Sequence, residues 1–248
     1  MMERQYKDSG ISWVGRIPKT WDVLRNKNTF ICGKSYVGEK SSSTQLLSLT
    51  TKGIRAIKVG ETSGKIPDSY DTYQVVKPNN LVMCLFDLDC SAVFSGISNF
   101  DGMISPAYKV LSCKKSIIPQ YANYWFIYVF DGRKFMHYSK NIRYSLTYDE
   151  FSALKIVVPP IPEQQLIADY LDKKCGEIDS LIALQEQMIE SLKAYKQSVI
   201  TEAVTKGLDP NAKLVPSGID WIGKIPEGWR LAKNGLCMFC YYRFCCKW

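Results

Sequence analysis

The spacing of hydrophobic positions divides the chain into a sheet-forming part and a helical part. Between residues 44 and 113, short β-branched or aromatic runs such as TQLLSLTT and AYKVLSC are separated by turn residues, with a turn expected at residues 77–80. This pattern predicts a mixed, mostly antiparallel sheet. Residues 121–130, YANYWFIYVF, are apolar on every side and too long for a typical strand, which predicts a buried helix that braces the sheet. Together they predict an α+β domain.

A different period begins after a proline-rich connector at residues 157–162. From Glu163 to Lys206 there is no proline and a single glycine, Gly176. The pattern predicts a long amphipathic helix of roughly 29 residues, or about 43 Å, after that glycine alone. Lys206-Gly207 is a typical helix end. So long an apolar stripe needs a partner helix, in a coiled coil. The apolar residues expected to face the partner lie at spacings of seven and four, and are Leu171, Ile178, Ile182, Ile189, Leu192 and Val199.

One phrase occurs twice at a constant offset of 208 residues. Residues 9–21 are SGISWVGRIPKTW and residues 217–229 are SGIDWIGKIPEGW. The repeat indicates duplication of a whole module, and its Gly, Pro and Trp content predicts an irregular docking segment rather than a helix. We therefore divide the chain into a globular domain at 1–162, a long helix at 163–206 and the start of a second, truncated repeat at 207–235. Residues 236–248, which carry four of the nine cysteines, are expected to be an aberrant tail from a frameshift or early stop.

Composition limits the location and the partners. The chain has no apolar run long enough to span a membrane and no signal-peptide pattern, so we expect a cytoplasmic protein with reduced cysteines. Residues 1–162 carry 21 Lys and Arg against 13 Asp and Glu, a net charge of +8, whereas the helix at 163–206 has a net charge of −3. The basic surface belongs to the globular part. It favours binding to a polyanion, although many soluble domains carry as much charge.

Catalytic and metal-binding patterns are missing from the sequence. There is one histidine, His137, and no phosphate-binding glycine loop. Cys237 and Cys240 have a zinc-like spacing, but Cys245 and Cys246 are adjacent and suit a tetrahedral site poorly. We therefore expect a binding protein rather than an enzyme, with neither a metal nor a cofactor of its own.

Basic and aromatic residues concentrate between residues 109 and 148, where seven Lys and Arg accompany one acid, Asp131. Lys and Arg suit phosphates, and Arg and Asn suit bidentate contacts to base edges. A solvated basic loop is the alternative. The candidate DNA-binding residues here are Arg133, Lys134, Lys140, Asn141, Arg143, Tyr144 and Ser145. The candidate phosphate contacts on the predicted sheet are Lys52, Arg55 and Lys58.

Several phrases resemble the specificity (S) subunit of type I restriction–modification systems. The most specific is PPIPEQQLIADYLD at 159–172, followed by the long helix and AVTKGL at 203–208. The twice-occurring phrase is similar to the one that opens each target recognition domain of that family. GMISPAYKV at 102–110 and NIRYSLTYDEF at 141–151 resemble phrases inside such a domain, although the family more often has glycine at the position of Asn141. The resemblance covers nearly the whole chain.

The resemblance implies a non-catalytic function. In this family each recognition domain reads one half of a bipartite DNA site, and long helices fix the separation of the half-sites. Modification subunits, which bind S-adenosylmethionine and methylate adenine, dock on the specificity subunit, and a restriction (motor-nuclease) subunit completes the enzyme.

A full specificity subunit of this family has two recognition domains and two helices, whereas this chain carries one of each and resembles a half-length form. Because one helix cannot pair within its own chain, we expect a homodimer with antiparallel helices that reads a palindromic, interrupted site. A stand-alone coiled-coil DNA-binding regulatory protein and a non-functional truncated remnant are the alternatives.

Overall fold

The computed structural model describes residues 5–33, 35–58, 68–88, 93–134 and 144–232 of the 248-residue chain. The chain divides into two compact units, Met1–Lys174 and Cys175–Trp248. In the described ranges, no helix is both long and apolar enough to cross a membrane. Lys140, Asn141 and Arg143 of the predicted DNA-binding set lie outside the described residues, as does the cysteine-rich segment 236–248.

The first unit is an α+β domain of short strands and three helices. Its strands are β1 (Tyr6–Asp8), β2 (Arg16–Pro18), β3 (Asp22–Arg25), β4 (Phe30–Cys32), β5 (Leu46–Thr50), β6 (Gly53–Ile57), β7 (Gln74–Val76), β8 (Leu81–Met83), β9 (Ser95–Ile97), β10 (Gly102–Ile104), β11 (Lys109–Cys113) and β12 (Lys155–Val158). The helices that lie wholly within it are α1 (Asn26–Thr29), α2 (Pro119–Asp131) and α3 (Tyr148–Ala153). The predicted α+β class is confirmed.

Two four-stranded sheets form the centre of the domain. Their strand orders are β6-β5-β10-β7 and β4-β11-β8-β9. Among the described strands every pairing is antiparallel except that of β5 with β10, where Met103 is opposite Leu46. The mostly antiparallel sheet predicted from the sequence is therefore confirmed. The predicted turn at 77–80 also forms, because the Asn80 N–H donates to the Lys77 carbonyl at 3.1 Å and Asn79 adopts a φ of 66°.

Helix α2 braces the second sheet through one face. Tyr121, Ala122, Phe126 and Val129 are buried in the largest apolar cluster of the domain. The opposite face is open, since Ile127 and Tyr128 are 44% and 46% exposed. The predicted bracing helix is confirmed, but its burial on every side is not. A helix laid on a sheet covers one stripe, and its other face stays in solvent.

Helix α4 spans Ile161–Lys206 and has 46 residues. It begins two residues earlier than predicted, because Pro162 lies in the first turn, where no N–H donor is required. It ends as predicted at Gly207, which has a φ of 77° and whose N–H donates to the Ala203 carbonyl. The first turns belong to the first unit, where Gln164 is fully buried. From Cys175 onward the helix belongs to the second unit.

The duplicated phrase forms a β-hairpin in both places, rather than the irregular segment expected. In the first copy (residues 5–21), Tyr6 is opposite Pro18 across β1 and β2. In the second copy (residues 213–229), strands β13 (Leu214–Pro216) and β14 (Lys224–Pro226) place Leu214 opposite Pro226. The register is conserved at the 208-residue offset. Each copy closes with the same backbone bonds, from Ser9 to Gly15 and from Ser217 to Gly223. Glycines with positive φ at both ends of the loop permit this tight geometry.

Candidate nucleic-acid interface

The three predicted phosphate contacts lie together on the β5–β6 hairpin. Lys52 is in its turn, Arg55 is in β6 opposite Ser48, and Lys58 follows the strand directly. All three side chains are exposed, whereas Ile54 beside Arg55 is buried in the core. Strand alternation explains the exposure of Arg55, because successive residues point to opposite faces, whereas Lys52 and Lys58 are exposed because they lie outside β6. Strand β6 is at the edge of its sheet, so the hairpin presents an accessible basic surface.

Strand β9 joins this hairpin to helix α2. Gly96 lies so close to β5 that an added Cβ would be 2.8 Å from Leu49 Cδ1. On the helix side, Ser95 Oγ donates to Asn123 Oδ1 of α2 at 2.8 Å. The basic hairpin and helix α2 therefore both contact β9.

The end of α2 carries Arg133 and Lys134. Arg133 is exposed and has a φ of 46°. Lys134 folds back, with Nζ 3.7 Å from the Tyr128 ring centroid and 5.8 Å from that of Trp13. Cation–π attraction and a 3.3 Å bond to the Tyr128 carbonyl hold the ammonium group there. In this conformation Lys134 covers an aromatic cluster, while Arg133 is the more accessible cation.

Tyr144 and Ser145 are the other two described residues of this predicted set. Tyr144 is half-buried and has a φ of 46°. Ser145 Oγ accepts a hydrogen bond from the Asp87 backbone at 3.1 Å, and Leu146 N–H donates to the Leu85 carbonyl at 2.7 Å. These bonds tie residues 145 and 146 to the chain that follows β8. Ser145 therefore has a structural contact in addition to the role predicted for it.

One exposed aromatic beside this anchor was missed by the sequence reasoning. Phe86 is 37% exposed, and its ring lies 5.7 Å from that of Tyr108. It directly precedes Asp87, the partner of Ser145. The available signal is an aromatic residue between Leu85 and the acidic Asp87, three residues after β8 ends at Met83. Burial raises the pKa of the Tyr108 hydroxyl, so that group stays neutral at physiological pH.

Burial keeps two titratable groups of the core in their neutral forms. Burial raises the pKa of the Cys113 thiol to about 12, which keeps the sulfur protonated and unreactive. Burial, together with the nearby Glu163 carboxylate, raises the pKa of Tyr121, whose hydroxyl donates to the Val157 carbonyl at 2.9 Å. Within the described ranges, no group of three His, Cys, Asp or Glu side chains is arranged to hold a metal ion.

The residues predicted to line a helix partner form an exposed stripe on α4. Five of the six are large side chains 45–59% exposed, namely Ile178, Ile182, Ile189, Leu192 and Val199. Leu171 is half-buried and belongs to the first unit. Leu181 and Met188, which the prediction omitted, are exposed one residue before Ile182 and Ile189. Their positions widen the apolar stripe.

An α+β domain with a basic surface, followed by a long helix with an apolar stripe, defines the class of this protein. Residues 18–194 match the family described as the type I restriction modification DNA specificity domain. Since that match covers well over half of the chain, the chain belongs to this family.

Curated relatives agree with this assignment. The chain is 29% identical over 236 residues to the type I restriction enzyme MjaX specificity subunit of Methanocaldococcus jannaschii, covering 90% of this chain and 53% of the relative. It is 32% identical over 80 residues to the EcoKI specificity subunit of Escherichia coli K12, covering 32% of this chain and 14% of that subunit. The chain thus spans about half the length of the longest-matching of these relatives.

Solved structures share the fold. A chain from a structure addressing complex assembly and conformational transition of the type I R-M system matches 82% of this chain and 49% of its own length, with a TM-score of 0.61 and 16% identity. The HsdS subunit from Thermoanaerobacter tengcongensis matches 82% of this chain and 48% of its own, with a TM-score of 0.50 and 16% identity. The predicted resemblance to the specificity subunit, in a form with one recognition domain and one helix, is confirmed.

Proposed function

We propose that the chain is the sequence-specific DNA-recognition subunit of a type I restriction–modification complex and reads one half-site. The observation that carries this proposal is the match of residues 18–194 to the DNA specificity domain. The exposed basic hairpin supports it, because Lys52, Arg55 and Lys58 present three cations on one edge of the domain. We assign the domain to residues 1–162, with residues 163–206 as the spacer helix and 207–235 as the start of a second repeat.

Salt dependence tests the phosphate contacts. Each phosphate neutralised releases counterions, so Lys52→Ala or Arg55→Ala should weaken binding to all DNA sequences and reduce the slope of log K against log salt by about 1. Lys193→Ala is the matched control, because this exposed lysine lies on α4 and pairs with Glu190 at 2.7 Å. Unchanged slopes for the hairpin variants in fluorescence anisotropy would move the phosphate contacts elsewhere.

Base contacts have a different signature. We assign them to the predicted residues between 133 and 145, which are Arg133, Lys134, Lys140, Asn141, Arg143, Tyr144 and Ser145. Replacing a residue that reads a base edge should reduce the discrimination against the wrong base at one position of the site by about 1–3 kcal/mol. Specificity at the other positions should stay unchanged. Mapping methylated adenines in host DNA with each variant measures this. A variant that alters every position equally is not a base reader.

Catalysis in this proposal belongs to partner subunits. A modification subunit that binds S-adenosylmethionine would dock on this chain in the cytoplasm, and a restriction subunit would complete the complex. Co-purification of a methyltransferase with the tagged chain supports this arrangement. DNA binding without any methyltransferase partner would favour the stand-alone regulatory protein. Methylation or cleavage by the purified chain alone would contradict a non-catalytic role.

We further propose a homodimer in which two α4 helices pack antiparallel through the apolar stripe. Its exposed residues include Ile178, Ile182 and Ile189, which are each about half exposed and would contribute about 1 kcal/mol each on leaving water. Two identical recognition domains would then favour a palindromic, interrupted site.

Sedimentation velocity at micromolar concentration tests this dimer. The double variant Ile182→Asp/Ile189→Asp should sediment as a monomer. Ala183→Asp adds one carboxylate, against two in the double variant, on a different face of the helix and should leave the dimer intact. A wild-type monomer, with or without a modification subunit, would exclude the homodimer.

A further inference from the structure

The second copy of the duplicated hairpin exposes the two tryptophans that the first copy half-buries, while Ile225, like its equivalent Ile17, is buried. Trp221 is 85% exposed and Trp229 is 48% exposed, whereas their equivalents Trp13 and Trp21 are half-buried. Exposed tryptophans on a well-formed hairpin are unusual in a soluble protein and mark an interaction surface. The first copy shows what kind of surface such a hairpin fits.

The first copy sits on a surface made by α2, β12 and the start of α4, which we call the hairpin seat. Trp13 packs there against Trp125 and Tyr128, with ring centroids 5.6 and 5.8 Å apart. Ile11 and Ile17 pack against Val157 of β12.

Polar bonds complete the seat. Trp21 Nε1 donates to Glu163 Oε2 at 2.7 Å. Lys155 Nζ donates to the Gly10 carbonyl at 3.2 Å. The seat thus selects a hairpin by two isoleucines, two indoles and one backbone carbonyl.

The second copy keeps every one of these features. Ile219, Trp221, Ile225 and Trp229 stand at the positions of Ile11, Trp13, Ile17 and Trp21, and Gly218 replaces Gly10. The backbone register and the turn bonds are the same.

Within residues 9–21 the differences fall at exposed positions, except that Ile222 stands at the position of the packed Val14. In the first copy Lys19 Nζ donates to Gln5 Oε1 at 3.0 Å, whereas in the second copy Lys213 Nζ donates to Glu227 Oε1 at 3.0 Å. The donor and the acceptor therefore exchange positions between the two copies. The face that fits the seat is therefore retained, while the opposite face is not.

We propose that the second hairpin of one chain docks in the hairpin seat of a second copy of the chain, in exchange for that copy's own first hairpin. This inference rests on the homodimer proposed above. Antiparallel packing would bring the end of α4, which leads into the second hairpin, beside the start of the partner's α4, which carries Glu163 of the seat. Because the two hairpins share the isoleucines and indoles that fill the seat, similar contacts are broken and formed, and the exchange has a low energetic cost.

Loss of the first hairpin's anchor should make the exchange visible. In Trp13→Ala, the partner's Trp221 fills the place of the lost indole, and the thermal midpoint falls only slightly. In Trp13→Ala/Trp221→Ala no indole is left for the seat, and we expect a fall of about 10 °C. Trp221→Ala alone should be nearly neutral. Ile11→Ala and Ile219→Ala, with their double variant, provide a milder series if the tryptophan variants fail to fold.

A mixing experiment establishes that the rescue comes from a second copy. Adding wild-type chain to the Trp13→Ala/Trp221→Ala variant should raise its midpoint through mixed dimers, and adding Trp221→Ala chain should not. Equal midpoints for the single Trp13 variant and the double variant, in a chain that sediments as a dimer, overturn the exchange but leave the homodimer intact. Sedimentation as a monomer overturns both. A third outcome is that Trp13→Ala keeps a high midpoint while added wild-type chain does not raise the midpoint of the double variant. That outcome would place the second hairpin in its own chain's seat and also overturn the exchange.

Discussion

Replacing Gln164 should loosen the first turns of α4 from the recognition domain. Its side chain is fully buried and makes three hydrogen bonds. Oε1 accepts from the Ile118 N–H at 2.9 Å, and Nε2 donates to the carbonyls of Ser116 and Pro159 at 2.9 and 2.7 Å. In Gln164→Ala those three backbone groups lose their partner. At about 1 kcal/mol for each bond, the free energy of unfolding should fall by about 3 kcal/mol.

Urea denaturation followed by circular dichroism measures this loss. With a typical slope of about 2 kcal/mol per molar urea, the midpoint should fall by about 1.5 M. Gln165→Ala is the matched control, since that exposed neighbour bonds only to Asp169 at 2.7 Å and should lose less than about 0.5 kcal/mol. Gln164→Glu should be worse than Gln164→Ala near neutral pH, because a carboxylate would face two carbonyl oxygens. Equal midpoints for Gln164→Ala and Gln165→Ala would refute the reasoning.

Three further changes test the packing and the local bonds. Gly102→Ala should destabilise the domain by about 1–3 kcal/mol, because its Cβ would lie 2.5 Å from a backbone oxygen. Gly176→Ala in the exposed helix should instead stabilise the protein by about 0.5–1 kcal/mol, and thermal unfolding compares the two variants. Thr147→Ala removes the capping box of α3 and should cost about 1 kcal/mol in urea, and an unchanged midpoint would contradict the role of the cap. Ser41→Ala should raise the pKa of Asp71, which the Ser41 hydroxyl holds below its ordinary value through a 2.8 Å hydrogen bond; carboxyl NMR titration measures it. The stability contributed by this bond is present above the unfolded pKa and is lost as pH falls through the folded pKa.

Local patterns predicted the elements whose cause is local. The helix at residues 121–130 was predictable because the apolar run is longer than a typical strand. The end of α4 at Gly207 was predictable because a residue that tolerates positive φ closes a helix easily. The stripe on α4 followed from its seven-residue spacing. Hydrophobic periodicity contains this information directly.

Features that depend on distant partners were not predictable from one sequence. The pairing of β5 with β10 and the position of β9 between the basic hairpin and α2 join residues far apart in the chain. Lys134 was chosen as a DNA contact from its charge alone, and its place over Tyr128 depends on how α2 ends. The Gly, Pro and Trp content of the repeated phrase predicts an irregular segment, whereas the structure forms strands of three residues there. Strand pairing between its two arms, which composition does not encode, made it a hairpin.

The pairing of β3 with β12 affects how this protein can fold and vary. Val158 is opposite Asp22, so the chain enters and leaves the intervening segment at neighbouring positions. A segment with adjacent ends can be replaced as a unit without moving what flanks it. Replacement between Arg25 and Lys155, which are opposite each other in the same ladder, keeps the first hairpin and α4 in place only where the new segment also supplies the contacts that Trp125 makes with Trp13 and the backbone partners of Gln164. The same pairing sets a kinetic condition, because the ladder closes only after residue 158 has been synthesised.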